Sequence, residues 1–426
     1  MDVNLVFGIV PRLLPTFLLG IVAMVGLILL KKTFSEVITG VVKTMVGVLV
    51  LFAGVDLLVN AMNPLATLFG NVFTYEGEAV VGDWVGFLAA HGVEIILVMV
   101  FGFLVNLLLA RITPLKYVFL TGHILFWNAF MVVAALADTG KITGVALVIS
   151  GSIILGIIIT VLPALISKFV FNLTGTREFT IGHTTTIHSF IGAWVGKLVG
   201  DKSKSLEDIK FPEGLSFLKS MTISTSLIMF LLYVIMGFVA GLNFAATTFA
   251  NGNVVLWFFW ALFEGLMFGA GLTVLLTGVR MMLGEIIPAF KGLADKVVPN
   301  AVPALDCPMV FPYGQNSLAI GFPIAMITSL LTLVVFNLAG FKYLLLPLVT
   351  AAFFDVGPGV IMANSTGGRR GAIIYAMLGG VLLIVLQALG LPFVMNSAAG
   401  FTNLFGGNDF SMIAIVVGGI ARLLGL

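Results

Sequence analysis

The sequence predicts an all-α integral membrane protein of about eleven transmembrane helices and two re-entrant hairpins, and three observations predict it. First, 60% of the 426 residues are hydrophobic and 9% are charged, whereas a soluble domain carries about 25% charged residues. Second, apolar runs near the roughly 20 residues needed for a helical crossing recur along the whole chain. Third, the basic residues fall almost entirely into alternate connecting segments. A soluble enzyme, a nucleic-acid-binding protein and a disordered chain are excluded on these grounds. The net charge of +2 says little, because the distribution of Lys and Arg, and not their sum, orients a membrane protein. The single cysteine, Cys307, cannot form an internal disulfide and supplies no metal-ligand spacing.

The first apolar run, 14–30, is preceded by Asp2 and Arg12 and followed by Lys31 and Lys32. This is the reverse of a signal peptide, so a retained first helix with its N-terminus outside is expected. Further crossings are expected at 44–62, 94–110, 118–137, 142–166, 221–242, 254–277, 317–338, 343–363, 371–391 and 411–425. With Lys31 inside, 18 of the 21 basic residues lie on inside segments, and only Arg12, Lys141 and Lys342 lie outside. The outside stretch 62–93 carries Glu76, Glu78 and Asp83 and no Lys or Arg.

Two intervals are too long for loops and too broken for crossings. Residues 179–196, FTIGHTTTIHSFIGAWVG, have cytoplasmic charge on both sides, and residues 392–410 stand in the same relation to the outside. Non-helical backbone survives at membrane depth only where protein or a wet cavity satisfies it, so both read as re-entrant hairpins. The order gives two halves of opposite orientation. Residues 1–196 form a first inverted repeat (helices 1–5 and the first hairpin), 197–220 a cytoplasmic linker, 221–410 a second repeat (helices 6–10 and the second hairpin), and 411–426 a final helix. Inverted repeats with broken helices characterise carriers whose substrate sits near the midplane.

Ionisable groups in apolar surroundings mark the candidate site, because burying one costs several kcal/mol unless it is paired or solvated. They are His123 in LTGHILFWN, His183 and His188 in the first hairpin, Glu264, and Asp306. Asp306 lies among Pro299, Pro303, Pro308 and Pro312, through which no regular helix passes. His188 and Cys307 read as packing residues, Glu264 as a helix contact, and Arg369 and Arg370 as a cytoplasmic anchor. The GPG at Gly357–Gly359 and the residues up to Gly368 suggest another broken helix. No phosphate-cradling loop, nucleotide motif or nucleophile motif is present, so no catalytic residue, cofactor or metal is assigned. On the residues alone, an ion-coupled transporter with its proton site at Asp306 or Glu264, and a membrane enzyme using His183 with Asp306, stay open.

TGHI at Thr121–Ile124, FTIGH at Phe179–His183, SLEDIKFP at Ser205–Pro212, GVRM at Gly278–Met281 followed by Glu285, and LDC at Leu305–Cys307 occur in order. Together they resemble enzyme IIC, the membrane component of the bacterial ascorbate-type phosphotransferase system (PTS) in the ascorbate/galactitol superfamily. The resemblance covers nearly the whole chain. It implies a homodimer in the cytoplasmic (inner) membrane, with a dimer-forming scaffold and a mobile core. The core would move ascorbate or a related sugar acid or polyol inward by an elevator-type movement, for phosphorylation by partner IIB (and IIA) proteins, without a cofactor. The implied substrate contacts are His123 and Trp127, His183 and Thr184, and Asp306. Trp127 and Thr184 depart from the family, whose ascorbate carriers have glutamine at both places. The Lys197–Lys219 loop is the largest cytoplasmic surface and serves either as partner contact or as linker.

The distribution of basic residues makes a topological prediction. In a Cys307→Ser background, Glu78→Cys is expected to react with an impermeant thiol reagent added to intact cells and Lys204→Cys is not. Labelling at position 204 overturns the orientation.

Overall fold

Backbone amides and carbonyls inside a bilayer must find partners within the protein, and most of this chain meets that demand as helix. The computed structural model describes residues 10–72, 84–209, 221–296, 298–343, 345–404 and 406–425. Glu76, Glu78, Asp83 and the linker residues 210–220 lie outside them. The helices are α1 (Val10–Leu29), α2 (Phe34–Val72), α3 (Trp84–Ile112), α4 (Gly122–Ala137), α5 (Gly144–Thr174), α6 (Thr186–Val199) and α7 (Met221–Ala240). They continue as α8 (Leu242–Phe249), α9 (Val254–Lys296), α10 (Gln315–Leu338), α11 (Gly357–Gly390), α12 (Ala399–Leu404), α13 (Asn408–Ile413) and α14 (Gly419–Leu423). Among the described residues six helical runs are long and apolar enough to cross a membrane, or seven if α7 and α8, bent by 117° between them, form one broken span. The apolar stretches Leu19–Leu29 and Ile124–Ala137 are shorter. The protein is therefore a multi-pass membrane protein.

Local chemistry explains where the elements depart from the sequence expectation. α2 begins well before residue 44 because Thr33 and Glu36 form a capping box. The Thr33 N–H and hydroxyl both donate to Glu36 Oε2 at 2.8 Å, and Lys32 Nζ lies 2.9 Å from Oε1. The expected crossing at 118–137 begins as a strand, and the one at 343–363 becomes helical only at Val349. The GPG does not break the chain. A short α-turn at Val349–Ala351 leads into a wide π-helical turn, Ala352–Val356, which absorbs the missing N–H of Pro358, and α11 continues through it. The break falls at Gly367 and Gly368, the far end of the stretch expected to be broken. Near the C-terminus α13 runs into α14 through a second π-turn at Ala414–Gly418.

Two packing groups stand out. α1, α2, α7 and α9 pack on one another, while α3 packs on α4 and α5, and α11 packs on both α6 and α10. The second group contains a feature absent from the sequence expectation. It is a three-stranded parallel sheet of order β1 (Tyr117–Phe119), β3 (Val302–Leu305), β2 (Thr180–Ile181). Tyr117 pairs with Val302, Phe119 with Ala304, and Thr180 also with Ala304. The register lets proline occupy the central strand. Val302 and Ala304 bond toward β1, so the nitrogen of Pro303 faces the other side, ahead of the two-residue β2. The outer edge of β1 is satisfied by Asn106 of α3, fully buried, which donates to Tyr117 O (3.0 Å) and to Thr160 Oγ1 (2.8 Å) and accepts from Phe119 N–H (3.0 Å).

The segment after α6 closes over the α11 break. Asp201 N–H donates to Gly367 O (2.8 Å) and Arg369 N–H to Lys204 O (2.7 Å), while Arg369 Nε–H reaches Ser205 O (2.8 Å). Asn364 accepts from Leu206 N–H and donates to Ser205 Oγ. Glu207 then caps α10, accepting from the N–H groups of Asn316 (3.0 Å) and Ser317 (2.9 Å). Gly368 has φ +58 and a Cβ there would meet the carbonyl oxygens of Asp201 and Lys204, whereas Gly340, with φ +68, has open space around it. Gly340→Ala should therefore cost only the left-handed strain, about 1–2 kcal/mol. Gly368→Ala should cost distinctly more, because backbone must also move. Thermal unfolding in detergent compares the two, and equal costs would mean that the closure over the break contributes nothing.

Candidate functional site

Parallel strands bring the residues that follow them to one end. β1 leads into Thr121 and the first turn of α4, β2 into Gly182 and His183, and β3 into Asp306, so the three motifs of the sequence meet at the carboxyl ends of the strands. Backbone bonds continue past the strands: Leu120 N–H donates to Ala304 O (2.9 Å) and Gly182 N–H to Leu305 O (2.8 Å). Gly182 has no room for a side chain, since a Cβ would lie 2.9 Å from both Ala304 Cβ and the Phe119 ring. Asp306 Oδ1 accepts from Cys307 N–H at 2.7 Å and starts the 3-10 turn Cys307–Tyr313, which gives the proline-rich stretch its shape.

The polar groups form a chain. His183 Nε2 lies 3.4 Å from Asp306 Oδ1, and Nδ1 lies 3.1 Å from Thr184 Oγ1. The Thr184 hydroxyl donates to Asp355 Oδ1 at 2.6 Å. A hydroxyl has one proton to give, so toward His183 it accepts, and the network assigns the imidazole proton to Nδ1. Asp355, 2% exposed in the π-turn, also accepts from Asn408 N–H at 3.0 Å through Oδ2. Next to it Asp409 accepts from Thr186 N–H and Ile187 N–H, both at 3.1 Å, and so caps α6 from the start of α13. His188 bonds Tyr375 Oη (2.6 Å) and Asn408 Oδ1 and is buried away from open space.

His183, Thr184, Asp306 and Asp355 supply ionisable and hydroxyl groups to a cavity of about 310 Å³, within the range of small-molecule sites. Its walls are largely aromatic, formed by Trp84, Trp127, Phe354, Phe401 and Phe410, and α2 contributes Val55. The Trp127 ring stacks on Phe401 with centroids 4.6 Å apart and an interplanar angle of 22°. Four of the five sequence candidates, Trp127, His183, Thr184 and Asp306, thus line one space. His123 sits on the first turn of α4 beside the lining residue Ile124, and its side chain lies outside the described part of the structure. Neither His188 nor Glu264 lines the cavity. The ligand atoms of His183, Asp306 and Cys307 lie within 4.8 Å of one another, a donor set able to hold a metal ion.

Sequence reasoning missed Asp355, Asn408 and Asp409. Both carboxylates were visible as charges in apolar surroundings, in AAFFDVGPG and GGNDF, and the signal was the same as for Asp306.

With the geometry in place, comparison with known proteins decides the family. The sequence profile described as PTS system sugar-specific permease component matches residues 10–409. The chain belongs to this family. The permease is also similar to the ascorbate-specific PTS system EIIC component of Mycoplasma pneumoniae, 26% identical over 468 aligned residues that cover 94% of this chain and 68% of that protein. It is a sugar-transporting membrane subunit of a phosphotransferase system, and the residues lining its cavity, Phe410 apart, lie in the matched region.

Asp355→Asn would set an amide N–H₂ against one of two donors, leaving a buried group unsatisfied at about 1–3 kcal/mol. The variant is expected to melt at lower temperature in detergent and to lose hydrogen-exchange protection at Asn408, with α9 unchanged. Unaltered protection would remove Asp355 from the support of the site.

Proposed function

We propose that this permease holds a polyhydroxylated substrate, ascorbate or a related sugar acid or polyol, in the cavity and delivers it inward for phosphorylation by a partner IIB protein. One observation carries the reading: three separate motifs of a PTS permease converge on a space whose polar floor is His183, Thr184, Asp306 and Asp355 and whose walls are aromatic. Carboxylates accept from sugar hydroxyls, and an indole face such as that of Trp127 suits the C–H face of a ring. The chain then binds and moves the substrate, and phosphoryl chemistry belongs to its partners.

The proposed movement is an elevator-type shift of the group containing α3–α6, α10 and α11 against the scaffold of α1, α2, α7 and α9. Its support is that the ionisable lining groups all come from the first group, while α2 adds the apolar Val55. A substrate would keep its polar contacts during such a shift. Eleven crossings in two inverted repeats (1–196 and 221–410), an outside N-terminus, an inside C-terminus and a scaffold-mediated homodimer complete the reading. The charge bias and the resemblance support these features. Glutamine at positions 127 and 184 of ascorbate carriers would add amide groups that this chain lacks, so a substrate richer in hydroxyl donors fits its two carboxylates better.

Asp306→Asn keeps the shape but exchanges an acceptor for a donor, at about 1–3 kcal/mol. Equilibrium sugar binding is expected to weaken about 10- to 100-fold, and phosphoenolpyruvate-dependent uptake to fall with it, with His183→Ala behaving alike. Near-native binding and uptake in Asp306→Asn would overturn the site. Uptake that collapses with the ion gradient in the unaltered protein would overturn the phosphotransferase reading.

A further inference from the structure

Sugar recognition leaves one feature of the floor unused. The Thr184 hydroxyl gives its proton to Asp355 and accepts from Nδ1–H, so Nε2, 3.4 Å from Asp306 Oδ1, is the ring nitrogen that offers a lone pair when the imidazole is neutral. A proton on Nε2 pairs it with Asp306, and a metal cation can take that proton's place between the two. A third donor stands beside them, because Cys307 is fully buried and its sulfur belongs to the same cluster, with all ligand atoms within 4.8 Å. The donors come from strand ends already joined by the Gly182 to Leu305 backbone bond, so the chain positions them before any ion arrives.

We propose that His183 Nε2, an Asp306 oxygen and Cys307 Sγ form a transition-metal site of the zinc class, with a fourth position open to the cavity. Imidazole, carboxylate and thiolate together select a borderline ion over magnesium or calcium. Zinc bonds of about 2.0–2.3 Å bring such donors to within about 4 Å of one another, so binding would draw the present cluster, whose ligand atoms lie within 4.8 Å, slightly together. Binding takes the Nε2 lone pair, uses the ionised Asp306 and releases the thiol proton to water. The relay from Asp355 through Thr184 to Nδ1 orients the imidazole, as hydrogen-bond partners of metal-binding histidines do. The metal engages Asp306, so its occupancy excludes the sugar from the floor. Only this competition rests on the proposed sugar site.

Cobalt tests the site, because the chain has one cysteine and a thiolate-to-cobalt charge-transfer band can arise only from Cys307. Full-length protein in detergent, stripped with chelator and desalted, is titrated with cobalt chloride. The expected result is a band that saturates at one cobalt per chain, bleaches on adding zinc and recedes when ascorbate or a polyol is added. Thr184→Val should weaken cobalt binding about 10- to 100-fold, and His183→Ala should weaken it further. Absence of the band in monodisperse unaltered protein overturns the proposal, leaving a proton alone between Nε2 and Asp306, and needs no variant to fold. A band indifferent to His183→Ala also overturns the ligand set. A band that forms as expected but ignores every sugar, in protein that also fails to bind sugar, supports the metal site and overturns the sugar reading instead.

Discussion

Unwound backbone at membrane depth must be hydrogen-bonded by protein, and the site of this permease exists because a small parallel sheet does that bonding. Three chain segments leave helical geometry at 117–121, 180–185 and 302–306. Each would carry several unsatisfied amides and carbonyls into an apolar interior at several kcal/mol apiece. Pairing them strand to strand removes most of that cost, and Asn106 closes the remaining edge of β1. The pairing is parallel, so the three segments also end at one place. The demand for backbone partners and the convergence of Thr121, His183 and Asp306 are therefore one arrangement.

The next layer is electrostatic. Asp355 and Asp409 are almost wholly buried, yet each receives two donors: Thr184 and the Asn408 amide in one case, the Thr186 and Ile187 amides in the other. The segment at Asn408 and Asp409 thereby caps α6, and the π-turn before α11 bonds to both of these elements' ends. His188, Tyr375 and Asn408 extend the same connection into the packing of α11. Removing any one partner strands a buried polar group, which makes this network cooperative and holds the floor of the cavity in one arrangement.

On the other side of the same helix group, the chain from Asp201 to Glu207 performs a comparable task. It satisfies the carbonyl of Gly367 and the amide of Arg369 at the break in α11, then donates a carboxylate to the bare N-terminus of α10. The loop is thus partly structural. Its SLEDIKFP motif, met first as a feature of resemblance, has Glu207 as a helix cap and Leu206 bonded to Asn364.

The sequence by itself determined that the chain is a multi-pass helical membrane protein, because composition and apolar run length are local properties that a bilayer reads directly. It also marked Trp127, His183, Thr184 and Asp306, through charges in apolar surroundings and motif likeness, and these four line one cavity. The sheet was beyond its reach, since strands of two to four residues carry no periodicity and their partners lie far apart in the chain. The same holds for Asp355: it lies just before the GPG, and only the distances to Thr184 and Asn408 made its carboxylate part of the floor. Helix ends were decided by local bonds, such as the capping box at Thr33 and Glu36, but within the stretch from the GPG to Gly368 the break lies at Gly367 and Gly368, where segment 201–205 packs. Hydropathy specifies what enters the bilayer. Which polar groups meet inside it is set by long-range pairing, and that is a property of the tertiary structure alone.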